Sequence, residues 1–150
     1  EIRQLTDAAE KQAVTRLILG AAGGFGIPEA REAYIRESAG RIFFCAYDRN
    51  RPVGFLYLKE TGNATVELYV MGIRKEYHRQ GIAACCSGRP GTPPPGAGYA
   101  FMQVKTVQMG KYEEYDRTNR FIWPWASGSL GVPHLWDEGN PCQVYVMSLE

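Results

Sequence analysis

The stretch ELYVMGIRKEYHRQGIA, residues 67–83, decides how the rest of the chain is interpreted. Its first seven residues, ELYVMGI, are rich in aromatic and β-branched side chains, as is typical of a strand. Basic residues, one glycine and small residues follow in RKEYHRQGIA. Such a segment can direct consecutive backbone N–H groups at one anion, and glycine permits its close approach. The stretch therefore predicts a strand that ends in an anion-binding loop, with a solvated turn as the alternative.

This strand is the last of three that the sequence predicts in succession. Each segment is rich in aromatic and β-branched residues, and short polar turns at residues 48–51 and 61–63 separate them. The three segments are RIFFCAYD (41–48), PVGFLYLKE (52–60) and ATVELYVMGI (64–73). Strands joined by such short turns favour an antiparallel meander.

The flanking sequence adds helices and strands on both sides of the meander. IRQL (2–5) predicts a strand, and TDAAEKQAVTRLIL (6–19) predicts a helix with Thr6 or Asp7 as its N-cap. Pro28 can open a second helix, PEAREAYIRES. Downstream, GYAFMQVKTV (98–107) and CQVYVMSL (142–149) predict strands on either side of a helix, KYEEYDRTNRF (111–121). We expect one α+β domain over residues 1–150, with a single mixed, mostly antiparallel sheet flanked by helices.

Composition limits the partners and the compartment that we expect. The 17 basic and 16 acidic residues give a net charge of +1, which predicts neither a nucleic-acid partner nor an anionic membrane partner. The apolar stretch AVTRLILGAAGGFGI (13–27) contains Arg16 and is too short to span a bilayer. The four cysteines lack the spacing of a metal site, so we expect reduced thiols, no metal and a cytoplasmic protein.

The order of elements resembles that of the GNAT superfamily of acyl-CoA-dependent N-acyltransferases. That family has a strand, two helices and three antiparallel strands before its coenzyme-binding segment, to which ELYVMGIRKEYHRQGIA is similar. The family pattern is Arg or Gln, two residues, Gly, one residue, and Gly or Ala. Gly81 and Ala83 match this pattern, whereas His78 stands where Arg or Gln is usual.

The resemblance implies an N-acetyltransferase that uses acetyl-CoA as cosubstrate and takes an amine of a small molecule or peptide as acceptor. It implies that the backbone of residues 79–83 cradles the pyrophosphate of coenzyme A and that residues 71–73 pair with the pantetheine arm. The coenzyme would lie along the splayed fourth and fifth strands, and the acceptor would enter beside GAAGGFGIPEA (20–30). A homodimer is left open. The residues implied for coenzyme binding are Met71, Gly72, Ile73, His78, Arg79, Gln80, Gly81, Ile82 and Ala83.

Acyl transfer to an amine requires a polarised carbonyl, a deprotonated amine and a protonated leaving thiolate. Backbone N–H groups near Ile73 are candidates for the first task. Glu67 is the candidate general base, directly or through water, because alternation would place it on one face with Tyr69 and Met71. A polar strand residue that faces solvent is the alternative interpretation of Glu67. The position of the tyrosine that often protonates the thiolate in this family aligns with Ile122, so the third task has no assigned residue; Tyr115 lies farther back in the helix.

Two stretches depart from the family pattern. Residues 88–98 contain four prolines and four glycines, which disrupts the helix expected after the coenzyme loop, at about 3 kcal/mol for each interior proline and about 1 for each glycine. FIWPWASGSLGVPHLW (121–136) replaces the end of the last helix and the lead into the next strand.

One hypothesis is that residues 84–98 and 122–134 are short out-of-frame translations, which resequencing of the gene and the mass of the purified protein would test. Genuine irregular loops are the alternative. At the level of function, the alternative is a degenerate domain of this fold without catalysis, which acts as a binding or interaction module.

Overall fold

The computed structural model describes residues 1–22, 28–77 and 98–149. Within these residues, no helix has the length and apolar character needed to cross a bilayer. Two short 3₁₀ turns occur at Lys75–Tyr77 and Trp123–Trp125. In chain order, the helices and strands are β1 (Ile2–Leu5), α1 (Ala8–Ala22), α2 (Pro28–Ser38), β2 (Ile42–Asp48), β3 (Arg51–Gly62), β4 (Thr65–Ile73), β5 (Phe101–Val107), α3 (Glu113–Ile122), β6 (Gly128–Val132) and β7 (Cys142–Ser148).

All seven strands belong to one mixed sheet, in the order β1-β2-β3-β4-β5-β7-β6. The pairings of β1 with β2, β2 with β3, β5 with β7 and β6 with β7 are antiparallel. β4 and β5 are parallel, with Glu67 in register with Gln103. The α+β fold with a mixed, mostly antiparallel sheet is thus confirmed.

The predicted bounds of β1 and α2 are also confirmed, whereas α1 continues three residues beyond the predicted end at Leu19, to Ala22. The Asp7 carboxylate caps α1, because its Oδ2 accepts a hydrogen bond from the Glu10 backbone N–H at 2.8 Å. Pro28 is the first residue of α2. The turn between β2 and β3 is made by Arg49 and Asn50, whose φ angles of 50° and 63° give the left-handed backbone that tight hairpins use.

The chain divides into two compact units, and the first comprises Glu1–Lys59 and Tyr69–Pro93. Its core is built from aromatic and aliphatic side chains of α1 and the adjoining strands. The Phe43 and Phe55 rings stack with their centroids 5.4 Å apart, and the Phe43 and Tyr57 centroids are 6.1 Å apart. The buried core residues are Leu5, Val14, Ile18, Leu19, Phe43, Cys45, Phe55, Tyr57 and Val70.

The second unit comprises Glu60–Leu68 and Pro94–Glu150, and a buried asparagine links three of its elements. Asn119 of α3 is fully buried, and its Nδ2 donates hydrogen bonds to Val107 O at 2.9 Å and to Tyr115 O at 2.7 Å. Because Nδ2 is thereby fixed as the donor, Oδ1 accepts, and the Tyr145 hydroxyl donates to it at 2.6 Å. Burial also raises the pKa of Tyr145, so this phenol stays neutral and can act as the donor.

The strand β6 lies in the stretch 121–136, to which the sequence assigned no strand. It pairs antiparallel with β7, with Leu130 opposite Val144 and Val132 opposite Cys142. All five of its residues are exposed, so no buried face imposes the alternation by which a strand is recognised. Gly128 and Gly131 lower its intrinsic strand propensity further.

Candidate active site

Glu67 is a buried carboxylate on β4. Only 5% of the residue is exposed, which rules out the alternative that it faces solvent. Its Oε2 accepts a hydrogen bond from Lys105 Nζ on β5 at 3.4 Å, and 30% of the Lys105 side chain is exposed. The parallel pairing of β4 with β5 brings together these two side chains, which are 38 residues apart in sequence. A buried carboxylate requires such a partner, because an isolated charge in a low-dielectric environment is costly.

The burial of β4 departs from the strict alternation that the sequence favoured. Val66 and Glu67 are both buried, and the next two residues, Leu68 and Tyr69, are both partly exposed. Alternation resumes with Val70 buried and Met71 partly exposed. Because burial shows how far each face is covered and not which face a side chain is on, the shared face of Glu67, Tyr69 and Met71 stays a prediction.

Cys142, on β7, is a titratable group whose electrostatic surroundings include this pair. It is 1% exposed, and burial raises the pKa of its thiol, an effect that Lys105 partly opposes and Glu67 reinforces. The thiol is therefore neutral near pH 7 and adds no charge beside the carboxylate. Within residues 1–22, 28–77 and 98–149, no three His, Cys, Asp or Glu side chains are arranged as metal ligands.

Gly72, which the sequence assigned to coenzyme binding, is also a packing residue of the first unit. A Cβ on Gly72 would lie 2.9 Å from Phe55 Cε1, 3.1 Å from Ile18 Cγ2 and 3.3 Å from Leu19 Cδ2. The absence of a side chain at this position lets α1 pack closely on the strand. Gly72 thus has a structural role whether or not its backbone contacts a coenzyme.

We expect Gly72→Ala to lower the free energy of unfolding by about 1–3 kcal/mol, because the added methyl group overpacks the core against two aliphatic side chains and one aromatic ring. Urea unfolding followed by circular dichroism measures the change. Gly20→Ala is the matched control, since a Cβ on Gly20 of α1 meets no atom within 4 Å. That control should stabilise the helix by about 0.5–1 kcal/mol. An unchanged or increased stability of Gly72→Ala would refute the packing role.

The segment just after β4 is fixed to the preceding hairpin. Arg74 N donates to Val53 O at 2.9 Å, and Arg74 Nε donates to Pro52 O at 3.0 Å. Tyr77 N donates to Arg74 O at 2.9 Å, and the Tyr77 hydroxyl donates to Asp48 Oδ2 at 2.6 Å. The amides of Arg74 and Tyr77 are therefore engaged within the protein and do not belong to an anion cradle.

The rest of the predicted coenzyme loop lies beyond the part of the chain that the structure describes. His78, Arg79, Gln80, Gly81, Ile82 and Ala83 lie outside the described residues. The same holds for residues 23–27 of the segment predicted to flank the acceptor and for residues 84–97 of the proline-rich stretch. The anion-binding loop therefore stays a prediction.

No residue is assigned to protonate the leaving thiolate, and the residue at the aligned position and two tyrosines of the second unit differ in their surroundings. Ile122, at the aligned position, is buried at the end of α3 and has no titratable group. Tyr115 is 37% exposed, and its ring lies edge to face against Tyr112 with centroids 6.0 Å apart. Tyr145 is 3% exposed and its hydroxyl donates to Asn119.

The sequence model of the acetyltransferase (GNAT) family matches residues 3–84 of the chain, which is more than half of its 150 residues. No curated protein matches the sequence significantly. The matched region contains Glu67, Met71–Ile73 and the predicted coenzyme loop.

Several solved structures are similar to this chain over almost its entire length. A protein assigned to the GNAT family from Desulfovibrio desulfuricans is 14% identical, with a TM-score of 0.71, and the match covers 100% of this chain and 99% of that one. Diaminobutyrate acetyltransferase from Paenibacillus lautus, in complex with L-2,4-diaminobutyric acid and coenzyme A, is 14% identical, with a TM-score of 0.64 and coverage of 99% and 95%. The ribosomal-protein-S18-alanine N-acetyltransferase from Escherichia coli is 10% identical, with a TM-score of 0.63 and coverage of 100% and 94%. At these identities the similarity establishes the fold.

Proposed function

Because this chain belongs to the acetyltransferase (GNAT) family, we propose that it transfers the acetyl group of acetyl-CoA to a primary amine of a small molecule or peptide. The observation that carries this proposal is the buried carboxylate of Glu67. Glu67 lies on β4, the strand that leads into the predicted coenzyme loop, and its carboxylate is hydrogen-bonded to Lys105 of β5. The diaminobutyrate enzyme bound to its amine substrate and coenzyme A, and the alanine N-acetyltransferase, support an amine acceptor.

Glu67 is the general base in this proposal. It accepts a proton from the acceptor ammonium, directly or through one water molecule, and the neutral amine then attacks the thioester carbonyl. A C–N bond forms, the C–S bond breaks, and coenzyme A leaves as a thiolate. The thiolate takes its proton from water, because Ile122 occupies the position where the family often has a tyrosine, and the hydroxide so formed takes the second proton of the acylated nitrogen to give the neutral amide. Glu67 returns its proton to solvent before the next cycle.

In this scheme Lys105 positions the Glu67 side chain, and its ammonium group balances the negative charge of the Glu67 carboxylate. Its ammonium group lies 3.4 Å from Oε2 and is the cation that balances the carboxylate within the second unit. Without Lys105, a largely buried negative charge would lose its partner, which is costly in a protein interior. Lys105 thus acts through Glu67 and needs no contact with the substrates.

Coenzyme binding is assigned to the main chain of Met71, Gly72 and Ile73 for the pantetheine arm and to residues 78–83 for the pyrophosphate. Consecutive N–H groups suit a diphosphate, and contacts of this kind tolerate His78 in place of Arg or Gln. The sequence predicts that the prolines and glycines of residues 88–98 disrupt the helix whose N-terminus would normally back such a loop. We therefore expect weaker coenzyme binding than a loop backed by a helix would give.

The wider setting of the protein is part of the same proposal. Residues 1–150 act as one catalytic domain. This assignment is supported by strands β3 and β4, because each strand contributes residues to both compact units. Buried thiols at Cys45 and Cys142 are compatible with the reducing cytoplasm. The near-neutral net charge of +1 favours a small or peptide acceptor over nucleic acid or a membrane surface.

An acetyl-transfer assay tests the proposed function. The full chain is incubated with acetyl-CoA and a panel of primary amines and short peptides, and the acetylated acceptor and released coenzyme A are quantified by mass spectrometry. We expect equal amounts of both products with at least one acceptor class, and loss of both in Glu67→Gln. If coenzyme A binds but no amine is acetylated, the degenerate binding module would replace the enzyme as the explanation.

A further inference from the structure

Lys105 is an amine held against the proposed general base. Its Nζ donates a hydrogen bond to Glu67 Oε2 at 3.4 Å, and this ion pair joins β5 to β4. Glu67 is 5% exposed, whereas 30% of the Lys105 side chain is exposed. An amine becomes a nucleophile when a base within hydrogen-bond reach removes its proton, and the distance between the two is often longer before the reactants are bound. Lys105 and Glu67 thus have the arrangement of an acceptor amine and its base within one chain.

The part of β5 that contains Lys105 continues beyond the residues that pair with β4. Within the described residues, the register of these two strands ends where Glu67 lies opposite Gln103. Lys105 follows two positions later, on the same face of the strand as Gln103. Both residues are partly exposed, and the residues that alternate with them are buried. The Lys105 amine is therefore accessible to a reagent that approaches this face of β5.

Two more accessible lysines provide a standard against which reaction at Lys105 can be judged. Lys75 and Lys111 are exposed. An acyl donor that reacts without help from the protein modifies the most accessible amines first. Faster reaction at the less exposed Lys105 therefore indicates that its neighbour Glu67 assists the reaction.

We infer that Lys105 is a self-acetylation site, at which the chain transfers the acetyl group of acetyl-CoA to its own Nζ. This inference rests on the proposed function, because it uses the same cosubstrate and the same base. Glu67 takes one proton from the Lys105 ammonium, and the neutral amine attacks the thioester carbonyl. The N–C bond forms, the C–S bond breaks, and the leaving thiolate receives the second nitrogen proton through water. The products are an acetamide at Lys105 Nζ, coenzyme A as its thiol, and one proton that Glu67 releases to solvent.

Acetylation of Lys105 also changes the site that it borders. The modification removes the ammonium charge, so the buried Glu67 carboxylate loses the cation that balances it. The modified chain should therefore transfer acetyl groups to an added amine more slowly than the unmodified chain. Measurement of kcat before and after complete reaction at Lys105 checks this effect, and an unchanged kcat would contradict it.

Peptide mass spectrometry of the full chain, incubated with acetyl-CoA and no added amine, tests this inference. We expect Lys105 to be acetylated about tenfold faster than Lys75 or Lys111, because a positioned base assists it. The rate constant should not depend on protein concentration, as expected for transfer within one chain. Excess coenzyme A should suppress reaction at Lys105 and leave the two exposed lysines unaffected, because Lys105 reacts with a bound donor.

Glu67→Gln should lower the rate of acetylation at Lys105 by about 100-fold and leave the rates at the exposed lysines unchanged. Glu114→Gln, at an exposed position of α3, is the matched control and should have no effect at Lys105. Acetic anhydride needs no bound coenzyme, so it should label Lys105 at least as fast in Glu67→Gln as in wild type. That result would exclude reduced access to the amine as the cause of the slower reaction with acetyl-CoA.

A panel of added amines, assayed in parallel, separates this inference from the proposed function. Acetylation of an added amine without faster reaction at Lys105 would overturn the inference alone, and no transfer to either acceptor would overturn both. Equal acetylation of Lys105 in wild type and in a folded Glu67→Gln variant would also overturn the inference. If circular dichroism shows that this variant is unfolded, the comparison of Lys105 with Lys75 and Lys111 in the wild-type chain decides the outcome.

Discussion

Glu67→Gln lowers kcat for acetyl transfer by about 100-fold or more, while KM for acetyl-CoA stays within about twofold. A positioned general base contributes about 10² to 10⁴ in rate, and glutamine keeps the shape of the side chain but cannot accept the proton. The carboxylate is buried and hydrogen-bonded to Lys105, so its loss acts on the chemical step. Steady-state kinetics with acetyl-CoA and the best acceptor measure both constants.

The control for this substitution is Glu114→Gln, an exposed glutamate in the first turn of α3. It removes the same charge from the surface and should leave kcat unchanged. Lys105→Met supplies a second comparison, because Lys105 acts through Glu67 in the proposed scheme. It should lower kcat in the wild-type background and have little further effect when combined with Glu67→Gln, as expected for two residues that function as one unit. Full activity of Glu67→Gln would remove Glu67 from the mechanism.

The largest expected effect on stability is that of Asn119→Ala, which should lower the free energy of unfolding by about 3 kcal/mol. The substitution leaves Val107 O and the Tyr145 hydroxyl without their partner in a buried region, and each unsatisfied buried group costs about 1–3 kcal/mol. It also removes the side-chain hydrogen bonds by which Asn119 joins α3 to β5 and β7. Urea unfolding of the wild-type and variant chains under identical conditions gives the difference.

Thr118→Ala is the control on the same helix. The Thr118 hydroxyl donates to Glu114 O at 3.4 Å in an exposed position, so its loss should change stability by about 0.5 kcal/mol or less. Tyr145→Phe removes one member of the network and leaves Asn119 Oδ1 unsatisfied, which should cost about 1–3 kcal/mol. If Asn119→Ala and Thr118→Ala have equal stability, the network does not contribute as described.

The features that the sequence predicted well are those encoded within a few residues. The strands of the meander have continuous apolar and β-branched segments, Asp7 lies one position before α1, and Pro28 is the first residue of α2. Each of these signals is local. The fold was therefore predictable from pattern and element order, and the comparison with solved structures agrees with it over the whole chain.

The missed features depend on contacts that are distant in sequence. Asn119 lies in the polar segment DRTNRF, where it resembles a surface residue, and its burial is explained by its hydrogen bonds with Val107 and Tyr145, 12 and 26 residues away. Lys105 becomes the partner of Glu67 only through the parallel pairing of β4 with β5. The sequence did not predict β6, because none of its five residues is buried and the strand therefore lacks the alternation of apolar and polar residues that marks a half-buried strand.

Calorimetric titration of the full chain with coenzyme A tests the central claim most directly. The proposed function predicts saturable binding with a micromolar dissociation constant, and weaker binding of pantetheine, which lacks the diphosphate that residues 79–83 are proposed to hold. No heat of binding at millimolar coenzyme A would contradict the proposal, because an acetyltransferase of this family must bind its cosubstrate before any step that Glu67 could catalyse.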